Sequence, residues 1–113
     1  MIQIYHNPKC SKSREGLEIL KDSGEEFEII EYTQNPVSEK ELKSVLKKLK
    51  IKPVELIRKN EKTWKENYKD KKLSDEDLIK IMVENPNLIE RPIVIKNDKA
   101  IIGRPASMIK DIL

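Results

Sequence analysis

The 113-residue chain is short of cysteine, histidine, glycine and aromatic rings, with 1 Cys, 1 His, 3 Gly, 1 Trp, 3 Tyr and 1 Phe. Each shortage removes a class of chemistry. A lone thiol closes no internal disulfide, so a redox cycle must borrow its second thiol from another molecule, and the chain suits a reducing compartment. Without Cys and His clusters no zinc site is expected, and without a glycine-rich phosphate loop no bound cofactor is expected. No apolar run approaches the roughly 18 residues of a membrane span, and "MIQIYHNP" lacks the charged start and apolar centre of a signal peptide. The expected location is cytoplasmic, with no membrane partner. The net charge of +3 comes from 23 basic and 20 acidic residues mixed along the sequence, so there is no basic arm for nucleic acid. What is present is 37% hydrophobic residues in periodic groups, enough for one soluble domain and too little for two.

"IQIY" alternates as a strand, and "KSREGLEILKDSG" follows as a helix with Leu17 and Leu20 on one face and Gly24 as its stop. "FEIIEY" reads as a second strand, so residues 2 to 32 form a βαβ unit with parallel strands. "SEKELKSVLKKLK" opens with Ser38 and Glu41 at capping-box spacing and carries Leu42, Val45, Leu46 and Leu49 on one face. After Pro53 come a short turn, "VELIRK", and a lysine-rich loop from Asn60 to Lys72; "SDEDLIKIMVEN" is a helix capped by Ser74. Residues 36 to 88 thus read as a helical insertion. "IVIK" and "KAII" flank Asn97-Asp98 as a hairpin, and Pro105 opens a final helix, "PASMIKDIL", with Ala106, Ile109 and Leu113 toward the sheet. A βαβ unit followed by ββα is the order of a thioredoxin-like α/β domain with a small mixed four-stranded sheet, here interrupted by helices.

Cys10 falls where the first strand hands over to the first helix, near unpaired N–H groups and the positive end of the helix dipole, which favour thiolate. Lowering a thiol's pKa by about 2 units takes about 2.7 kcal/mol of preference for the charged form, more than one dipole supplies. Ser13 completes C-x-x-S and can hydrogen-bond the sulfur; Lys12 and Arg14 add positive charge, and His6 stands at the strand's end. The alternative for each is ordinary: a lone cysteine as a small buried hydrophobe, a lone histidine as a satisfied structural residue. Against 19 lysines the chain has four arginines, Arg14, Arg58, Arg91 and Arg104. Where a solvated charge suffices it uses lysine, so the arginines are candidates for gripping an oxyanion with a planar fork. Arg14 adjoins the thiol, while Arg91 and Arg104 lie at the outer ends of the hairpin, near each other. Spacing does not place Arg58, and a surface salt bridge remains open for every one of them.

The blocks "HNPKCSKSR", "LIRKN", "LIERPIV" and "IGRP" resemble, in that order and over essentially the whole chain, the glutaredoxin-coupled arsenate reductase family. The resemblance implies a thioredoxin-like core with a helical insertion. It also implies Cys10 as nucleophile, His6, Ser13 and Arg14 around the thiolate, Arg58, Arg91 and Arg104 as oxyanion-binding arginines, and Pro92 as the cis-proline. The implied reaction is reduction of arsenate, or a similar oxyanion, with glutathione as co-substrate and glutaredoxin as partner. One pair departs from the pattern: Ser11-Lys12 stand where well-known members carry Gly-Thr. Two other readings stay open. A monothiol thiol-transferase of C-x-x-S type would need no oxyanion. A regulator of the Spx type, which binds RNA polymerase and senses oxidation, would need a second cysteine where this chain has Ser13.

Overall fold

The computed structural model describes residues 2–113. The chain divides into two compact units, one formed by the segment up to Asn35 together with Arg91–Leu113, the other by Pro36–Glu90. The first holds a four-stranded sheet of order β2-β1-β3-β4, with β1 (Ile2–Tyr5), β2 (Phe27–Ile30), β3 (Ile93–Lys96) and β4 (Lys99–Ile102). β1 runs parallel to β2, as the βαβ reading requires, and antiparallel to β3 with Ile4 opposite Val94. β3 and β4 are an antiparallel hairpin whose two-residue turn places Asn97 at φ 57, a left-handed conformation that asparagine tolerates without a following glycine. The fold is thus the expected α/β thioredoxin-like arrangement around a mixed sheet.

Helix α1 (Ser11–Ser23) ends at Gly24, which takes φ 75 as only glycine does freely. One face of the sheet gives Ile2, Ile4 and Val94 to a core with Leu20 of α1 and Ile109 of the final segment. Each such aliphatic side chain contributes about 1.5–3 kcal/mol on burial. The final segment differs from expectation. Ala106–Asp111 is a 3-10 helix with Pro105 as its N-cap, not an α-helix begun by Pro105. Tight 3-10 winding eclipses positions three apart, which puts Ala106 and Ile109 together on the buried side, and Leu113 is only partly covered.

The second unit contains α2 (Glu39–Leu49), α3 (Pro53–Leu56), α4 (Lys62–Asn67) and α5 (Asp75–Glu84), then a 3-10 turn at Pro86–Leu88. Ser38 caps α2 by accepting the Glu41 N–H at 3.1 Å. Ser74 and Asp77 cap α5 reciprocally, and the Ser74 hydrogen bonds hold the Asp77 carboxyl below its usual range. α2 and α3 both pack on α5, burying Leu42, Val45, Leu46, Leu56, Leu78, Ile81 and Met82. The lysine-rich loop expected from Asn60 to Lys72 holds a helix instead, because Trp64 is buried and stacks at 5.9 Å on Tyr68. An aromatic anchor thereby overrides a composition that reads as solvated loop. A short antiparallel bridge joins Ile57 to Ile89.

Candidate active site

Residues 7 to 10 form the turn that delivers the thiol. The Asn7 carbonyl accepts the Cys10 N–H at 3.0 Å with Pro8 second in the turn, and the Asn7 side-chain oxygen accepts the Lys9 N–H at 3.0 Å. Arg14 donates from Nη1 to the Pro8 carbonyl at 2.9 Å, tying the turn to the first coil of α1. Cys10 is the N-cap of α1, in extended backbone conformation, and is partly exposed. Its sulfur makes no cap hydrogen bond of the geometry an oxygen would give. It nevertheless faces the N–H groups of the second and third helical residues, Lys12 and Ser13, and the Arg91 guanidinium. Burial pushes the thiol up, but the Ser13 N–H, the hydrogen bond and charge of Arg91, and the Lys12 N–H together outweigh it, leaving the pKa below its ordinary value.

Ser13 is wholly buried, and its Oγ accepts the Asn7 N–H at 3.0 Å and shares a 2.7 Å hydrogen bond with Nδ1 of buried His6. The backbone of His6 is fixed in turn by donation to the Ile30 carbonyl at 2.9 Å. Burial holds the imidazole below its usual pKa against the opposing pull of Glu31, so His6 is neutral at neutral pH. His6 is therefore a hydrogen-bonding neighbour of Ser13 and not a cation beside the sulfur. Arg14 likewise braces the turn through Pro8.

Arg91 is buried, and Arg104 donates from Nη1 to its carbonyl at 3.2 Å, so the two hairpin ends meet as their spacing suggested. The Arg91–Pro92 peptide is cis, and so is Arg104–Pro105, which the sequence reading did not single out. Gly103 donates its N–H to the Pro92 carbonyl at 2.8 Å. A Cβ at Gly16 would lie 2.8 Å from Pro92 Cγ, and one at Gly103 would lie 3.0 Å from the same atom, so two glycines make room for the proline beneath the thiol's helix. Arg58 belongs to the helical unit, where its guanidinium pairs with Glu61 at 3.5 Å and Glu90 at 3.8 Å. Among the described residues no group of three or more His, Cys, Asp or Glu could hold a metal ion.

Residues 5–112 match the ArsC family. The chain belongs to the ArsC family. The "Uncharacterized protein YfgD" of Escherichia coli K12 is 47% identical, with 99% of this chain and 96% of that protein covered. An "Arsenate reductase" of Haemophilus influenzae is 46% identical, with 97% of each covered. Among solved structures, "Arsenate reductase from Vibrio cholerae" superposes with a TM-score of 0.94 at 44% identity, covering 99% of this chain and 97% of its own. Within this ArsC chain, sequence reasoning passed over Asn7, whose signal was the Asn-Pro turn itself, and the glycines at 16 and 103. It also passed over Glu61, which meets Arg58 through a local turn, and Glu90, whose meeting with Arg58 depends on the Ile57–Ile89 bridge.

Proposed function

We propose that this protein reduces arsenate to arsenite, with Cys10 as nucleophile, glutathione as co-substrate and glutaredoxin as recycling partner. The observation that carries the reading is the environment of one sulfur. A helix's second and third N–H groups and a buried guanidinium favour its thiolate. It comes from a family whose named relatives include arsenate reductases. In this reading the thiolate attacks the arsenic of a bound arsenate, a sulfur–arsenic bond forms, and an arsenic oxygen leaves as water or hydroxide. Arg91 and Arg104 supply planar forks to the tetrahedral anion, and the family resemblance gives Arg58 an oxyanion-binding role as well. Glutathione thiolate then attacks the Cys10 sulfur. The sulfur–arsenic electron pair goes to arsenic, As(V) becomes As(III), and a Cys10–glutathione disulfide remains. Glutaredoxin takes up the glutathione by thiol exchange and releases the Cys10 thiolate. The two electrons come from the two thiols, so no bound cofactor enters, and a cytoplasmic location fits a cycle driven by glutathione.

The test is NADPH oxidation coupled through glutathione reductase, with glutathione, glutaredoxin and arsenate, against phosphate, sulfate and a glutathionylated substrate. Arsenate-dependent turnover that Cys10→Ser abolishes is the expected result. Turnover of the glutathionylated substrate alone would make the protein a thiol-transferase and overturn the reading.

A further inference from the structure

Arg58 is surrounded in a way that the other arginines do not prepare one for. The bridge between Ile57 and Ile89 is extended on both sides, by the Arg58 N–H to the Leu88 carbonyl at 2.8 Å and the Glu90 N–H to the Leu56 carbonyl at 2.8 Å. These bonds set Arg58 beside Glu90. The turn closed by the Glu61 N–H on the Arg58 carbonyl, at 3.2 Å, brings Glu61 to the same guanidinium. Glu61 Oε1 then lies 3.5 Å from Nη1 and Glu90 Oε1 lies 3.8 Å from Nε, with the Arg58, Glu61 and Glu90 side chains only 19%, 29% and 23% exposed.

Both separations exceed the roughly 2.7–2.9 Å of a charge-assisted hydrogen bond, so neither carboxylate closes a bidentate fork. Nη1 is buried and makes no hydrogen bond. The guanidinium is thus flanked by two carboxylates while its buried Nη1 makes no hydrogen bond. Two carboxylates beside one guanidinium oppose an incoming anion that would take their place on it. A tetrahedral oxyanion that takes the fork replaces loose contacts with tight ones, but has to do so against both carboxylates.

We infer that Glu61 and Glu90 are specificity-determining residues that set the protein's oxyanion affinity by competing for the Arg58 guanidinium. The inference rests on the reading above that Arg58 binds the oxyanion. The pair acts as a filter: an anion binds only where its hydrogen bonds to the guanidinium outweigh the opposition of the carboxylates. Neither glutamate touches the reacting atoms; both act through Arg58.

The experiment is calorimetric titration of arsenate, and separately of inorganic phosphate, into full-length Cys10→Ser protein, which binds without chemistry. The same titration is run with Glu61→Gln, Glu90→Gln, both together, and Glu90→Asp added. Arsenate kinetics of the corresponding proteins with Cys10 intact run alongside. The dissociation constant is expected to fall about two- to fivefold for each carboxylate neutralised, the range of a partly exposed ion pair. Glu90→Asp, which restores the charge, returns it toward the parent value, and in turnover the gain appears in KM rather than kcat. Unchanged or weakened binding in the glutamine variants, or no binding in any protein, overturns the inference; weakened binding would mean that the glutamates merely hold Arg58 in place. Tighter binding without arsenate turnover in the parent would keep the filter and reject arsenate reduction. Turnover with unchanged affinities would reject the filter alone.

Discussion

The sheet unit and the helical unit hold their arginines under opposite conditions. Arg91 is buried at the foot of the β-hairpin, directs its guanidinium to the Cys10 sulfur, and receives at its carbonyl a hydrogen bond from Arg104. Arg58 is pinned by a short bridge between two glutamates, at separations too long for a fork. In the first setting the positive charge is already in use, because it lowers a thiol's pKa. In the second it is offset by the two carboxylates beside it. The neighbours therefore decide what each rare guanidinium does: Arg91 favours a thiolate, and Arg58 is held between two carboxylates, the arrangement on which the proposed anion filter rests.

The contrast can be broken first with lysine. Arg91→Lys keeps the charge but loses the planar fork beside the sulfur, and arsenate turnover should fall by about a hundredfold or more, as when one preorganised donor is removed. Arg58→Lys should fall less, by about tenfold, because a neutralised group contributes less than an expressed one. Steady-state rates of the two variants check the order, and equal losses would erase the distinction between the units.

A smaller effect concerns His6. Its folded pKa lies below the unfolded value of 6.5, so between those two values the unfolded chain binds a proton that the folded chain refuses. Stability should therefore decline as pH drops below 6.5 and level off beneath the folded pKa. His6→Gln should flatten that decline in urea melts taken across acid pH; a persisting slope would assign it to other groups. The smallest effect is expected at Lys12, whose side chain is exposed and pairs with Glu15 at 3.7 Å, while only its backbone N–H serves the sulfur. Lys12→Thr should leave the thiol's reactivity profile within error of the parent, and a shift would show that the side chain matters after all.

Much of the sheet unit could be read from the residues, because its signals are local. Alternation in "IQIY", the stop at Gly24, and the two-residue Asn97-Asp98 turn each act over a few positions. The meeting of Arg91 and Arg104 followed from hairpin register alone. What escaped was non-local. Trp64 turned a lysine-rich stretch into α4 by finding a buried place. Ile109 drew the final segment into 3-10 winding where it meets Gly103. The lowered pKa of His6 was also out of sight, because burial, which sets it, cannot be seen in a strand-end histidine. Glu90 looked like one more solvated acid among many until the Ile57–Ile89 bridge brought it to the guanidinium that Glu61 reaches by a local turn.

The central claim, that the fold favours the Cys10 thiolate, is tested most directly by the pH dependence of iodoacetamide alkylation, native against urea-unfolded protein. The half-point of the native protein should lie below the ordinary thiol value of 9.0 and below that of the unfolded chain, and Arg91→Lys should move it upward. Coincident native and unfolded profiles, or a native half-point above the unfolded one, would contradict the account.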